Sequence, residues 1–241
     1  MSIVGAPKRI QEISAEGEEP PPEFFVKKDT IFAGNLGSVS SIQIPIIDLN
    51  LLSLDSNFEA YKDKINKLLD TLSSYGVFQV IGHGMSSSYL EEIRNLIKKF
   101  FCLSIKEKQK YGRAADGYEG YGNDPIFVEG QRLEKEHWYK LDLTCTKCPK
   151  PDKILGVKAH ADASIITTLL QDKEVEGLQV LKDGKWYGVP TIPHALLINV
   201  GDQLEIMSNG IFKSPIHRVA ANSEQERISQ QCSISQIMRK R

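Results

Sequence analysis

A chain of 241 residues that is 41% hydrophobic can bury a sizeable core, and its length suits one large all-β or mixed domain. Its 30 basic and 31 acidic residues leave a net charge of −1, so neither nucleic acid nor an anionic membrane is indicated as a partner. The opening "MSIVGAPKRIQEISAEGEEPPPEFF" has no apolar leader, and no later run reaches the roughly 18 apolar residues of a membrane span, so a soluble cytoplasmic protein is expected.

Residues 1–40 form a polar N-terminal arm in which "EEPPPEFF" reads as polyproline-like. Residues 41–128 alternate strand and helix. "IQIPIIDL" (42–49) is a β-branched strand, and the helix after it carries Phe58, Tyr61, Ile65, Leu68, Leu69 and Leu72 at helical spacing, with Gly76 just beyond its end. "VFQVI" (77–81) has the length of a buried strand. The next helix opens with a capping box from Ser88 to Glu91 and buries a stripe of Leu90, Ile93, Ile97, Phe100 and Phe101; a second box, Ser104 to Glu107, starts a shorter helix.

Residues 129–153 are an anomalous junction with neither helical nor strand periodicity. Cys145 and Cys148 form a "CTKC" there, but Pro149 and Pro151 disfavour the helix a redox pair opens and no second cysteine pair completes a zinc site, so a loop is preferred. From 154 to 229 the pattern becomes short strands with turn residues between them, the mark of a β-barrel or jelly roll. Asp183-Gly184 is a type I′ hairpin signal, with Trp186 and Tyr187 after it as cross-strand packing residues. "HALLINV" (194–200) turns at Gly201-Asp202 into "QLEIM", which reads as a further short strand, and Asn199 and Asp202 read as turn residues. Residues 230–241, "QQCSISQIMRKR", are an atypical polar tail without a convincing strand.

The chemistry-bearing residues lie in 154–229. On a strand, residues two apart share a face, so His160 and Asp162 offer an imidazole and a carboxylate to one ion. An antiparallel barrel can return His217, in "SPIHRV", to that first strand. Two histidines and one carboxylate are the facial triad of non-haem Fe(II) oxygenases. Ten residues on, Arg227 and Ser229 share a strand face and together suit a carboxylate, the guanidinium in bidentate fashion. His83 and His194 read as structural, and His137 has no assigned role.

These stretches, with "IPIIDL", "YGVFQVIGHGM", "FFCLSIKEKQKY" and "EGYGND", resemble plant Fe(II)/2-oxoglutarate-dependent dioxygenases of the branch containing codeine O-demethylase and the senescence-related-type enzymes. The resemblance implies a mixed α and β fold, a double-stranded β-helix (jelly roll) with N-terminal helices. It implies iron at His160, Asp162 and His217, the distal 2-oxoglutarate carboxylate at Arg227 and Ser229, O2 as oxidant and ascorbate as a possible accompaniment. The reaction implied is oxidative decarboxylation of 2-oxoglutarate to succinate and CO2, coupled to hydroxylation or O-demethylation of a small specialised-metabolism substrate.

The chain departs from that family in three places. Only about thirty residues join Asp124 to Ile154, so a central segment is expected to be lacking. Leu143, Thr144 and Cys145 stand where relatives carry an Asn-aromatic-Tyr that helps hold 2-oxoglutarate, and the usual C-terminal strand and helix are expected to be lacking too. An incomplete jelly roll would bare the sheet and leave an unpaired edge after Arg227 that favours self-association. Two other readings stay open: a catalytically silent shortened relative acting through metal or partner binding, and a cupin-like isomerase or binding protein holding zinc or another divalent ion, against which the Arg227/Ser229 pair argues.

Overall fold

The structure is a computed structural model that describes residues 25–26, 39–52, 58–112, 137–145 and 147–235, with residues 52, 58–60, 105 and 137–145 described as backbone. Its strands assort into two sheets. The larger has the order β1-β2-β8-β5-β10-β3, from Ile46–Asp48, Val77–Ile81, Leu196–Val200, Ile166–Leu170, Arg227–Ser235 and His137–Cys145 respectively. The smaller has the order β4-β9-β6-β7, from Leu155–His160, His217–Ala220, Leu178–Lys182 and Lys185–Gly188. β1 and β2 run parallel and every other pairing is antiparallel. This is the expected double-stranded β-helix.

Alternation along the strands sorts apolar side chains between two cores. Val77, Leu169 and Leu197 point between the sheets to meet Leu178, Val180 and Val219. Phe78, Val80, Leu170, Leu196 and Ile198 point outward, against helices α1 (Phe58–Ser74) and α2 (Ser87–Phe101). Of the α2 stripe, Leu90 and Ile97 are buried and Ile93, Phe100 and Phe101 are half-buried. Thus α1 and α2 cover the outward side chains of β2, β5 and β8. The chain crosses tight points with glycine: at Gly76, φ is +63° and a Cβ would fall on the Lys213 carbonyl oxygen. The Asp183-Gly184 turn has φ of 50° and 73°, as a type I′ hairpin requires.

Four expectations are corrected. "QLEIM" lies in a helix, α4 (Asp202–Met207), capped by Gly201 and carrying Asp202 and Glu205 in its first turn; an apolar run of five residues does not distinguish strand from helix. The α2 cap is Ser86, whose hydroxyl accepts from the Tyr89 N–H at 3.2 Å, because the chain is extended at Ser86 and already helical at Ser88. The second cap is as expected, Ser104 at the start of α3 (Ile105–Gln109).

The third and fourth corrections concern the segments read as anomalous. The strand containing Arg227 does not stop at Ser229: β10 continues to Ser235 and lies between β5 and β3, so the boundary placed after Ser229 falls inside a strand. The junction supplies its outer partner, β3, and the sheet edge moves there from Arg227. Polar composition hid this strand. Its inward side chains are satisfied laterally, Ser233 by Thr167 at 3.0 Å and Gln231 by Ser233 at 3.1 Å, while neighbours on both sides pair its backbone.

A polar clamp ties α2 to the larger sheet. Arg94, buried, donates from Nε and Nη2 to the Gln171 carbonyl at 3.2 and 3.0 Å, and from Nη1 to Glu91 at 2.7 Å. Lys173 completes it with a 3.1 Å bond to Glu91, and that bond is the main reason the Glu91 carboxyl is held below its ordinary value. A carboxyl depressed in the folded state contributes stability above its unfolded pKa, and loses it as pH falls through the folded value. Urea midpoints of the parent and Glu91→Gln should therefore differ near pH 6 and converge as pH drops below about 4.5. The difference should be well under 1 kcal/mol for so exposed a pair. A gap that widened on acidification would contradict this sign.

Candidate metal centre

β4 and β9 bring the two histidines together. Antiparallel pairing sets His160 opposite His217, their ring centroids 4.3 Å apart. Asp162 arrives differently from the sequence expectation. β4 ends at His160, so Asp162 lies beyond the strand, where the Asp202 N–H donates to its carbonyl at 2.7 Å. Its carboxylate is buried and turned to both imidazoles, with Oδ1 3.6 Å from His160 Nε2 and 3.7 Å from His217 Nε2. Among the described residues this is the one group of three or more such side chains able to hold a metal ion, with ligand atoms all within 4.8 Å of one another.

The hydrogen bonds around the triad decide whether an ion fits. His160 Nδ1 lies 2.8 Å from the Lys158 carbonyl and His217 Nδ1 lies 3.1 Å from the Pro215 carbonyl. A carbonyl can only accept, so each Nδ1 carries the proton and each Nε2 presents a lone pair towards Asp162. Burial also lowers the pKa of His217, which favours the neutral, ligating form. Two lone pairs and a carboxylate converge with no proton between them, an arrangement that a divalent cation stabilises. The donor set of two nitrogens and one oxygen suits Fe(II) and leaves coordination positions free.

Arg227 and Ser229 share a face of β10 as expected. Arg227 is 2% exposed and donates from Nη1 to Ser229 Oγ at 3.2 Å. Its stem fits because residue 177 is glycine: a Cβ there would stand 3.0 Å from Arg227 Cδ. The Gly177 carbonyl accepts from Ala220 N–H at 2.8 Å, and Ala220 is the last residue of β9, which His217 begins. At ~3.3 Å per strand residue, Ala220 lies about 10 Å along β9 from His217. β3 sets Leu143 opposite Ser229 and Cys145 opposite Arg227, the register positions of the expected tyrosine departure.

His83 and His194 serve turns: His83 Nε2 bonds the His194 carbonyl at 2.8 Å and His83 Nδ1 accepts from Met85 N–H at 3.2 Å. Trp186 packs as expected, under the buried Arg218 guanidinium at 4.1 Å, and burial lowers the Arg218 pKa to about 10. Cys148 is buried and free, and the Cys145 side chain lies outside the described residues. Sequence reasoning missed Asn199, read as a turn residue; it is buried within β8 and bonded to Asp162. The available signal was one amide inside the apolar run "LLINV".

Comparisons with known proteins agree with this geometry. A model of the 2OG-Fe(II) oxygenase superfamily matches residues 135–236, and one of the non-haem dioxygenase in morphine synthesis N-terminal region matches 44–158. Protein SRG1 of Arabidopsis thaliana is 30% identical, with 78% of this chain and 70% of SRG1 covered. Codeine O-demethylase of Papaver somniferum is 32% identical, with 77% and 70% covered. A crystal structure of JOX2 in complex with 2OG, Fe and JA superposes with a TM-score of 0.76 at 25% identity, covering 95% of this chain and 83% of that one. The SRG1 alignment spans 255 positions but uses 78% of 241 residues, about 188, so about 67 positions of the relative have no partner here. No helix among the described residues is long and apolar enough to cross a membrane.

His160, 39% exposed at its side chain, can be removed with little loss of packing. In His160→Ala, affinity for Mn(II) should fall by roughly 100-fold or more, beyond the 10- to 100-fold effect usual for groups behind the ligands. Calorimetric titration checks this, with circular dichroism unchanged. Equal affinity in the two proteins would place the ion elsewhere.

Proposed function

The chain belongs to the 2OG-Fe(II) oxygenase superfamily, and from that membership we propose that it hydroxylates or oxidatively O-demethylates a small organic molecule of specialised metabolism. It is a 2-oxoglutarate-dependent dioxygenase with Fe(II) as its metal. The observation that carries the reading is the convergence of His160 Nε2, His217 Nε2 and Asp162 Oδ1 on one point. O-demethylation is supported by the likeness to codeine O-demethylase, whose name records that reaction. A cytoplasmic location accords with three free cysteines among the described residues.

In this proposal His160, Asp162 and His217 would hold the iron. The loaded centre supplies one oxidation: O2 and 2-oxoglutarate are converted to CO2 and succinate, and the second oxygen atom enters a C–H bond of the substrate. The remaining work belongs to the protein. Arg227 and Ser229 would grip the distal carboxylate of 2-oxoglutarate, the guanidinium in bidentate fashion. Leu169, Leu178, Leu197 and Val219, packed between the sheets, keep water from the space behind the site. Hydroxylating an O-methyl carbon would give a hemiacetal that releases formaldehyde and the free alcohol.

The test is anaerobic addition of Fe(II) and then 2-oxoglutarate, followed by the visible charge-transfer band of the chelate. The parent should show the band, and Arg227→Ala should need about 10- to 150-fold more 2-oxoglutarate, as expected for ~1.5–3 kcal/mol from hydrogen bonds to a charge. The roughly 67 unmatched positions favour one competing reading, a silent shortened relative. A band-free but folded parent would establish that alternative.

A further inference from the structure

β8 reads "LLINV", and its only polar residue, Asn199, is 2% exposed. Register sets it opposite Val77 on β2 and Thr167 on β5, so its side chain lies between the sheets. The amide makes one hydrogen bond, from Nδ2 to Asp162 Oδ2 at 3.3 Å. Its Oδ1 is buried and has no hydrogen-bond partner among the described residues. Thr167 does not supply one, since its hydroxyl is shared between Ser164 at 2.9 Å and Ser233 at 3.0 Å.

A buried acceptor left unsatisfied costs stability, and an apolar residue of similar size would remove that cost. Asn199 is therefore a poor choice for packing. What it does is divide the work of the Asp162 carboxylate: Oδ1 faces the two imidazoles at 3.6 and 3.7 Å, while Oδ2 is turned away and occupied by the amide. We propose that Asn199 is a positioning residue that fixes Asp162 as a one-oxygen ligand, so that the carboxylate does not spread both oxygens over the metal and fill a position needed by 2-oxoglutarate or O2. The inference rests on the reading of His160, Asp162 and His217 as the metal ligands. Asn199 touches no reacting atom, so it acts only through Asp162.

The test uses Co(II) as the probe ion, without co-substrate, on the full chain. Asn199→Leu keeps the volume and deletes the donor. The change removes the unpaired Oδ1 but also leaves the buried Asp162 Oδ2 without its donor, so the readouts are those of the metal: Co(II) affinity falls roughly 10- to 100-fold and the visible ligand-field spectrum shifts as the carboxylate reorients. Asn199→Val, also apolar and lacking the donor, should show the same affinity loss and serves if the leucine variant does not fold. Unchanged affinity and spectrum in either folded variant would overturn the proposal. So would a loss of metal-free stability with an unshifted spectrum, which would make Asn199 a packing residue. A parent that binds no Co(II) would sink the metal-centre reading itself, and this inference with it.

Discussion

The site depends on an irregularity in one strand. β4 pairs Leu155 with Ala220, Val157 with Val219 and His160 with His217, so between the last two pairs it uses three residues where β9 uses two. Val157 faces the interior with Val219. Strict alternation from Val157 would set His160 away from His217; the register shift brings its ring beside the buried His217 ring while one side stays open to solvent. Bulges next to functional sites commonly re-aim a side chain in this way. Each imidazole is then locked by a bond from Nδ1 to a carbonyl two residues earlier in its own segment, so both Nε2 lone pairs face the same carboxylate.

Around that fixed pair the charges are arranged along the barrel. Asp162 is buried and brings the one formal negative charge of the triad, while His160 keeps a side open to solvent. Arg227 is buried as well, its stem in the space that Gly177 keeps open. Between them the barrel wall is apolar, with Leu178 and Val219 paired across β6 and β9. This wall is built without the roughly 67 positions that SRG1 has and this chain lacks. Both sheets still form continuous ladders, because β3 and the second half of β10 take up the edge of the larger one.

Sequence made legible what local chemistry dictates. Helical stripes placed α1 and α2, Asp183-Gly184 placed a hairpin, and residue types two apart singled out His160 with Asp162 and Arg227 with Ser229. It did not reveal what depends on neighbours distant in the chain. "QQCSIS" carries no strand pattern because its inward Gln231 and Ser233 are satisfied by lateral hydrogen bonds rather than by burial of apolar surface. The shared face of His160 and Asp162 was inferred from a regular pleat, whereas convergence comes from a bulge and a strand end. Asn199 was passed over because its partner is 37 residues away.

X-ray absorption of the protein reconstituted with one equivalent of Fe(II), with and without 2-oxoglutarate, tests the central claim most directly. Two imidazole ligands and otherwise oxygen donors, with 2-oxoglutarate displacing bound water rather than protein groups, is the predicted result. A shell with fewer than two imidazoles, or with sulfur, would contradict it.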